Sequence, residues 1–417
     1  MTFLDRDRAA RLMAAAGLDA LLLLSPESFS YATGAPAGVG TMWRRAGAVA
    51  ALVPADPTIE IGAVVSDLFE TAFRAASPVT DLRLVPLWVE TADIRGLGET
   101  RDLPMESLFA EAFRRAGRNS GFARPETFDA QAGLRGAADL LAARGLASGR
   151  IGLEFDTLSL TDFARVQAAL PQASLLDGSD VLRRLKMVKS PREIGYLRKA
   201  VGLAEAGIEA LQSEIRPGVR QADLAVAWRQ GVQAAAAAAP EGGALTGLWD
   251  YISVGDQPWA PGGVVAPGDL IKVDVGCLIA GYTSDTGRTF VCGAPTPLQE
   301  RVFGALQSAF EAGLALIQPG VEMRVIHQAA TEAMARAGLP GFSRGHFGHG
   351  LGFSLGSEEW PFFSATSDVV LEPGMVLAYE TPFYVDGLGG LIIENQLLVT
   401  DAGHETMNQL PTGLVSV

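Results

Sequence analysis

Apolar positions along this chain follow two alternating periods. DRDRAARLMAAAGL spaces its apolar residues on one helical face, and Gly17 is placed to stop the helix. DALLLL and AGAVAALV are apolar runs of strand length and predict buried strands. RGAADLLAARGL returns to helical spacing, and GRIGLEF to a strand. Strands alternating with helices predict a layered α/β unit in the first part of the chain.

The pattern changes near VLRRLKMVKSPREIGYLRKAVGLAEAGIEAL. Ser190-Pro191-Arg192-Glu193 has the form of a capping box with proline at the first helical position, so a long amphipathic helix opens there. Thr296-Pro297-Leu298-Gln299 repeats the device. Between them the alanines of VQAAAAAAPEGGALTG favour helix until Pro240, Gly242 and Gly243 end it. At 417 residues the chain exceeds what one core usually serves, and the pattern predicts two domains, 1–180 and 181–417.

The second domain contains an internal repeat. PGDLIKVD, residues 267–274, and PGMVLAYE, residues 373–380, each open with Pro-Gly, run as a strand and end in a carboxylate, Asp274 or Glu380. Each is followed by a glycine-containing turn and a returning strand that carries another carboxylate: Asp285 in YTSDTGRTF, Glu394 in GGLIIEN. Buried carboxylates are costly unless something compensates them. If the two hairpins pack about a pseudo-twofold axis, all four converge, and hard oxygen ligands of this kind suit divalent Mn, Co, Fe or Zn. The chain has four histidines, and two of them, His346 and His349, lie in RGHFGHGLG, where glycines let the backbone crowd a ligand. Two such ions about 3.5–4 Å apart can acidify a water near neutral pH. Each carboxylate taken singly has a plainer reading: Asp285 could cap its turn, and Glu394 could face solvent.

Charge and cysteine content narrow the classes. The formal net charge of −14 argues against nucleic acid as a partner, because phosphate binding needs a basic face. Cys277 and Cys292 would not face each other across a hairpin turning near Gly281, so a reducing, cytoplasmic setting is expected. The N-terminal stretch, interrupted by Asp5, Asp7 and Asp19, does not read as a signal peptide, and no apolar run has the length of a membrane span.

These residues resemble the pita-bread metallohydrolases: aminopeptidase P, prolidase, methionine aminopeptidase and creatinase. DALLLLSPESFSYATG is similar to the start of a creatinase-type N-terminal domain. DVGCLIAGYTSDTGRTF, GHGLG, LEPGMVLAYETP and GGLIIENQLLVT are similar to the metal-binding blocks, in their order. The resemblance implies an α+β protein, a creatinase-like α/β domain followed by a pita-bread catalytic domain with pseudo-twofold symmetry. It implies Asp274, Asp285, His349, Glu380 and Glu394 as ligands of two divalent ions, manganese first and cobalt, iron or zinc as alternatives. Asp285 and Glu394 would bridge the pair, Asp274 would hold one ion, and His349 and Glu380 the other. It also implies a homodimer whose N-terminal domains enter neighbouring sites; Arg44 and Arg45 could do so, although such a pair is more often a solvated surface.

Departures from the pattern bear on substrate. SVGDQPWAPGGVVAPGD has no histidine where these peptidases carry one, and Trp259 stands nearby. Gly356 occupies the place of a second histidine, and aligning Glu359-Trp360-Pro361 instead would put Glu358 there. Ile392 occupies the place of an arginine. The expected activity is therefore metal-dependent hydrolysis of an amide-like C–N bond by a metal-bridging hydroxide. Similarity points to an Xaa-Pro peptidase, and the altered shell to a small-molecule or short-peptide substrate. Glu380 is the candidate general base, and His346 a candidate proton donor or a packed loop histidine. Trp259 and Glu358 are candidate substrate contacts, with core filling the favoured alternative for Trp259. His327 and His404 read as structural. A lyase similar to dimethylsulfoniopropionate lyases is one alternative, although those usually carry an aspartate where Gly276 stands. A non-catalytic binding protein is the other.

Overall fold

Asp5 starts the first helix, Arg6–Ala16, by accepting hydrogen bonds from the backbone N–H groups of Asp7 and Arg8, and Gly17 ends it in a left-handed turn. The computed structural model describes residues 3–97, 103–118, 122–239, 244–353 and 358–417. They fall into two units, Met1–Leu185 and Lys186–Val417, slightly beyond the break expected at 180.

In the first unit, strands β1 (Ala20–Leu23), β2 (Ala50–Pro54), β3 (Gly62–Ser66), β4 (Asp81–Val85), β5 (Arg150–Leu153) and β6 (Ser174–Asp177) make one sheet in the order β4-β3-β2-β1-β5-β6. β1 pairs antiparallel with β2 and parallel with β5, so the sheet is mixed. β1, β2 and β3 are buried along their whole length, as expected of strands covered on both faces. Helix Ala130–Ala143 presses Leu134, Ala137, Leu140 and Leu141 into this core. Arg44 and Arg45 are engaged within the unit: Arg44 pairs with Glu27, and Arg45 forms a two-pronged bond to the buried carboxylate of Asp162.

In the second unit the capping boxes at Ser190 and Thr296 form as predicted, and open helices Pro191–Gln212 and Pro297–Leu314. Helices Gln221–Ala238 and Met323–Arg336 partner them. The alanine run is helical to Ala238; its expected terminators Pro240, Gly242 and Gly243 lie outside the described residues.

The strands of this unit are β7 (Leu245–Asp250), β8 (Ser253–Val254), β9 (Leu270–Ile279), β10 (Tyr282–Thr283), β11 (Thr286–Val291), β12 (His346–Gly350), β13 (Glu359–Ser364), β14 (Val376–Glu380), β15 (Phe383–Val385), β16 (Gly389–Leu391), β17 (Glu394–Thr400), β18 (Gly403–Thr406) and β19 (Val415–Ser416). Among the described residues the large sheet runs β10-β9-β11-β17-β14-β12-β13, with β7 and β8 also on β9. The two repeats are the pairs β9/β11 and β14/β17, joined at the centre where β11 meets β17. The first helix pair covers the β9 half, with Trp228 fully buried and its indole N–H donating to Ala204 O. The second pair covers the β14 half through Phe310, Ile326 and Met334. Helices on one face leave the opposite face of the central strands to carry chemistry.

Candidate metal centre

Strand register places the carboxylates. Gly287 of β11 is opposite Asp274 of β9 on one side and Glu394 of β17 on the other, and Glu394 is opposite Glu380 of β14. Residues in register on neighbouring strands project from the same face. Asp274, Glu394 and Glu380 therefore form one row, in which Gly287 contributes no side chain. Asp285 joins it from the turn between β10 and β11.

His349 enters from β12, opposite Ala378. The approach depends on Gly348, whose φ is 121° and whose added Cβ would stand 2.0 Å from Ala378 O. His349 Nδ1 lies 3.0 Å from Gly350 O. A carbonyl only accepts, so Nδ1 carries the proton and Nε2 offers a lone pair. Nε2 is 3.4 Å from Asp285 Oδ2.

Asp285, His349 and Glu394 are buried and place one ligand atom each within 4.8 Å of one another. Asp285 Oδ1 and Glu394 Oε2 are buried without a hydrogen-bond partner. Burial first, and then Asp274 and Glu380, push the Asp285 carboxyl well above its ordinary value. Glu394 is raised by burial first, then by Asp285, Glu380 and Asp274. Desolvated like charges with orphaned oxygens are relieved either by taking up protons or by a cation among them, and only a cation relieves all of them in their ionised form. The donor set, two carboxylates and a neutral imidazole, suits a divalent transition ion. The residues present fit that group.

The remaining two of the five expected ligands flank this trio, and each is paired with a cation of the chain. Lys272 Nζ donates to Asp274 Oδ2 at 3.0 Å. Arg344 Nη2 donates to Glu380 Oε1 at 2.6 Å, and its Nε to His346 O at 2.6 Å. Burial raises Glu380, while Arg344 and His349 pull it back. Burial pulls the Lys272 ammonium down, but Asp274 and Tyr384 outweigh it and leave it raised.

The other candidates lie around this row. His346 Nδ1 is 3.9 Å from Glu380 Oε1 and accepts from Gly348 N at 3.3 Å. Burial first, then Arg344, lowers its pKa, which favours the neutral ring. His346 Nε2 is 4.0 Å from Glu358 Oε2, and Glu358 itself is exposed. Trp259 does not fill the core, the alternative favoured from sequence. It is 72% exposed, and its ring packs at a tilt, 4.3 Å between centroids, against Tyr384, over whose ring Lys272 Nζ also lies. A tryptophan in a Pro/Gly-rich loop has no apolar period to bury it. Ile392 is a buried apolar side chain, against which a Cβ on Gly287 would collide. Gly356 lies outside the described residues.

His327 Nε2 lies 3.2 Å from Arg344 O and steadies the segment carrying that arginine, and His404 Nδ1 lies 2.8 Å from Ile317 O. Cys277 and Cys292 are both free thiols.

Sequence reasoning missed Lys272, Arg344 and Tyr384. Lys272 carried a signal: two residues before Asp274 on a strand, it shares that residue's face. Arg344 and Tyr384 carried none, because only the tertiary fold brings them to the row.

Comparison with known proteins gives two family matches: metallopeptidase family M24 over residues 195–401, and the creatinase/prolidase N-terminal domain over 6–94 and 110–188. A probable dipeptidase, PepE, from Mycobacterium tuberculosis is 33% identical over 287 residues, covering 66% of this chain and 73% of that protein. An Xaa-Pro dipeptidase from Pyrococcus horikoshii is 27% identical over 241 residues, covering 57% of this chain and 66% of its own length. The structure of an Xaa-Pro dipeptidase from Bacillus anthracis superposes with a TM-score of 0.74 at 20% identity, covering 99% of both chains, a likeness of fold.

Proposed function

Because the chain belongs to metallopeptidase family M24 and carries the family's creatinase/prolidase-type N-terminal domain, we propose that it hydrolyses the amide bond of a dipeptide or similarly small acyl amine. The observation that carries the reading is the pair of buried, partnerless oxygens, Asp285 Oδ1 and Glu394 Oε2, beside the His349 lone pair. Asp274 and Glu380 complete the proposed five-ligand set for two divalent ions, manganese first. When bound, such ions acidify water and polarise a carbonyl.

The chain's own residues supply proton handling and orientation. Glu380, raised by burial and tethered by Arg344, is the proposed base: its Oε1 takes the water's proton and returns it to the leaving nitrogen. His346 is a second proposed proton-handling group: with Nδ1 accepting from Gly348 N, its neutral ring carries the proton on Nε2. Trp259 on Tyr384 forms an exposed aromatic wall where a substrate's apolar part can rest, and Glu358 is a second candidate contact. The missing peptidase histidines and the buried Ile392 favour a short substrate over a long Xaa-Pro peptide. A homodimer remains part of the proposal, tested by light scattering.

The lyase alternative is disfavoured at Gly276. A Cβ there would stand 2.0 Å from Ser284 O and 2.4 Å from the Trp249 ring, so an aspartate at this position has no room. Product analysis separates the readings. Mass spectrometry of reactions with Gly-Pro, Gly-Phe, Leu-Pro and a sulfonium acid should find a free amine and acid. Alkene release without amide cleavage overturns the hydrolase reading, and no metal-dependent product from the panel points to a binding protein.

A further inference from the structure

Next to the carboxylate row lies a cavity of about 570 Å³, bordered by Leu339, Phe342, Arg344, Phe383 and Tyr384. Its size is that of a small-ligand site. Phe342 and Phe383 meet edge to face at 5.2 Å and form a fixed apolar wall. Arg344 is the cation among these residues, and it is held in place. Its Nε donates to His346 O and its Nη2 to Glu380 Oε1, while His327 holds its backbone carbonyl. Those two bonds use two of the five donors of a guanidinium, whose planar fork matches a carboxylate. Cations drawing on Glu380 would leave this half-buried guanidinium short of counter-charge, and a carboxylate on the ligand restores it.

We propose that this cavity binds a bulky apolar group bearing a free carboxylate, with Arg344 as its counter-ion. In the reaction proposed above, on which the inference rests for its biological meaning, that group is the C-terminal residue of the dipeptide or acylated amino acid. The paired Phe342 and Phe383 rings give an aromatic or branched side chain more apolar contact than they give a proline ring. Phenylalanine and leucine derivatives are therefore preferred over proline.

Calorimetric binding of 3-phenylpropionate and of its amide to the manganese-loaded protein tests this without turnover. The acid should bind about tenfold or more tighter than the amide. Arg344→Met should abolish that preference while leaving the amide's affinity unchanged. Two cavity-filling variants, Gly341→Trp and Ser343→Trp, should each weaken the acid about tenfold with metal content unchanged. Gly341 suits this use because a Cβ there meets nothing within 4 Å. Equal binding of acid and amide, a preference that survives Arg344→Met, or indifference to both tryptophans overturns the proposal. The two readings fail separately. A protein that binds the acid through Arg344 but cleaves no amide keeps the pocket and loses the hydrolase. One that cleaves dipeptides while binding acid and amide alike keeps the hydrolase and loses the pocket.

Discussion

Asp285→Asn should stabilise the metal-free protein while destroying its response to metal. Asp285 is 3% exposed, has an oxygen without a partner, and feels Asp274 and Glu380. Its carboxyl is raised in the fold from an ordinary 3.8, and that of Glu394 from 4.5. A carboxyl raised by folding stabilises fully below its unfolded value, and the contribution is lost as pH climbs through the folded value. Stability of the metal-free protein should therefore fall from about pH 4 upward, each pH unit by which one carboxyl is raised being worth about 1.4 kcal/mol. Asparagine removes one such charge and can donate to its neighbours, a gain of about 1–3 kcal/mol at pH 8. In the wild type, an ion at a thousand times its Kd contributes about 4 kcal/mol, or about 8–16 °C in the melting of a unit the size of Lys186–Val417. Scanning calorimetry at pH 5 and pH 8, with chelator or manganese, reads both effects. Asp285→Asn should melt higher than wild type in chelator at pH 8 and shift by less than about 3 °C with manganese. A variant that melts lower in chelator, or keeps the full shift, refutes the reasoning.

Three further outcomes follow from the same geometry. Lys272→Met leaves Asp274 without its buried partner and should cost about 3–5 kcal/mol in chelator but much less with manganese, measured by denaturant melts; equal losses in both states would contradict the pairing. Gly348→Ala puts a Cβ 2.0 Å from Ala378 O at φ 121°, so it should destabilise by about 3 kcal/mol or more and lower bound metal, read by urea melts and atomic emission. His346→Gln should lower kcat about 10²- to 10⁴-fold with metal content unchanged, and a normal kcat would reduce His346 to a packing role.

Sequence was most informative where side-chain spacing and strand register say the same thing. The Pro-Gly repeat ending in Asp274 and Glu380 became two equivalent strands, and a turn and a returning strand brought in Asp285 and Glu394. Both capping boxes formed, because their bonds are local. Residues joined only by tertiary approach were out of reach. Arg344 meets Glu380 across 36 positions, and no local pattern announces it. The five residues expected as ligands were legible in the sequence as candidates, but their arrangement was not. Asp285, His349 and Glu394 form the tight trio, while Asp274 and Glu380 are held to the sides by Lys272 and Arg344. Trp259 was misjudged because size and apolarity favour burial on average, yet its loop places it in solvent against one face of Tyr384.

The most direct measurement is amino-acid release from Gly-Phe and Gly-Pro by three preparations: chelator-stripped protein, the same protein after manganese is restored, and Asp285→Asn with manganese. The account predicts no release by the first, release by the second, and none by the third. Equal release by the stripped and restored protein, or undiminished release by Asp285→Asn, would contradict a metal centre built on Asp285, His349 and Glu394.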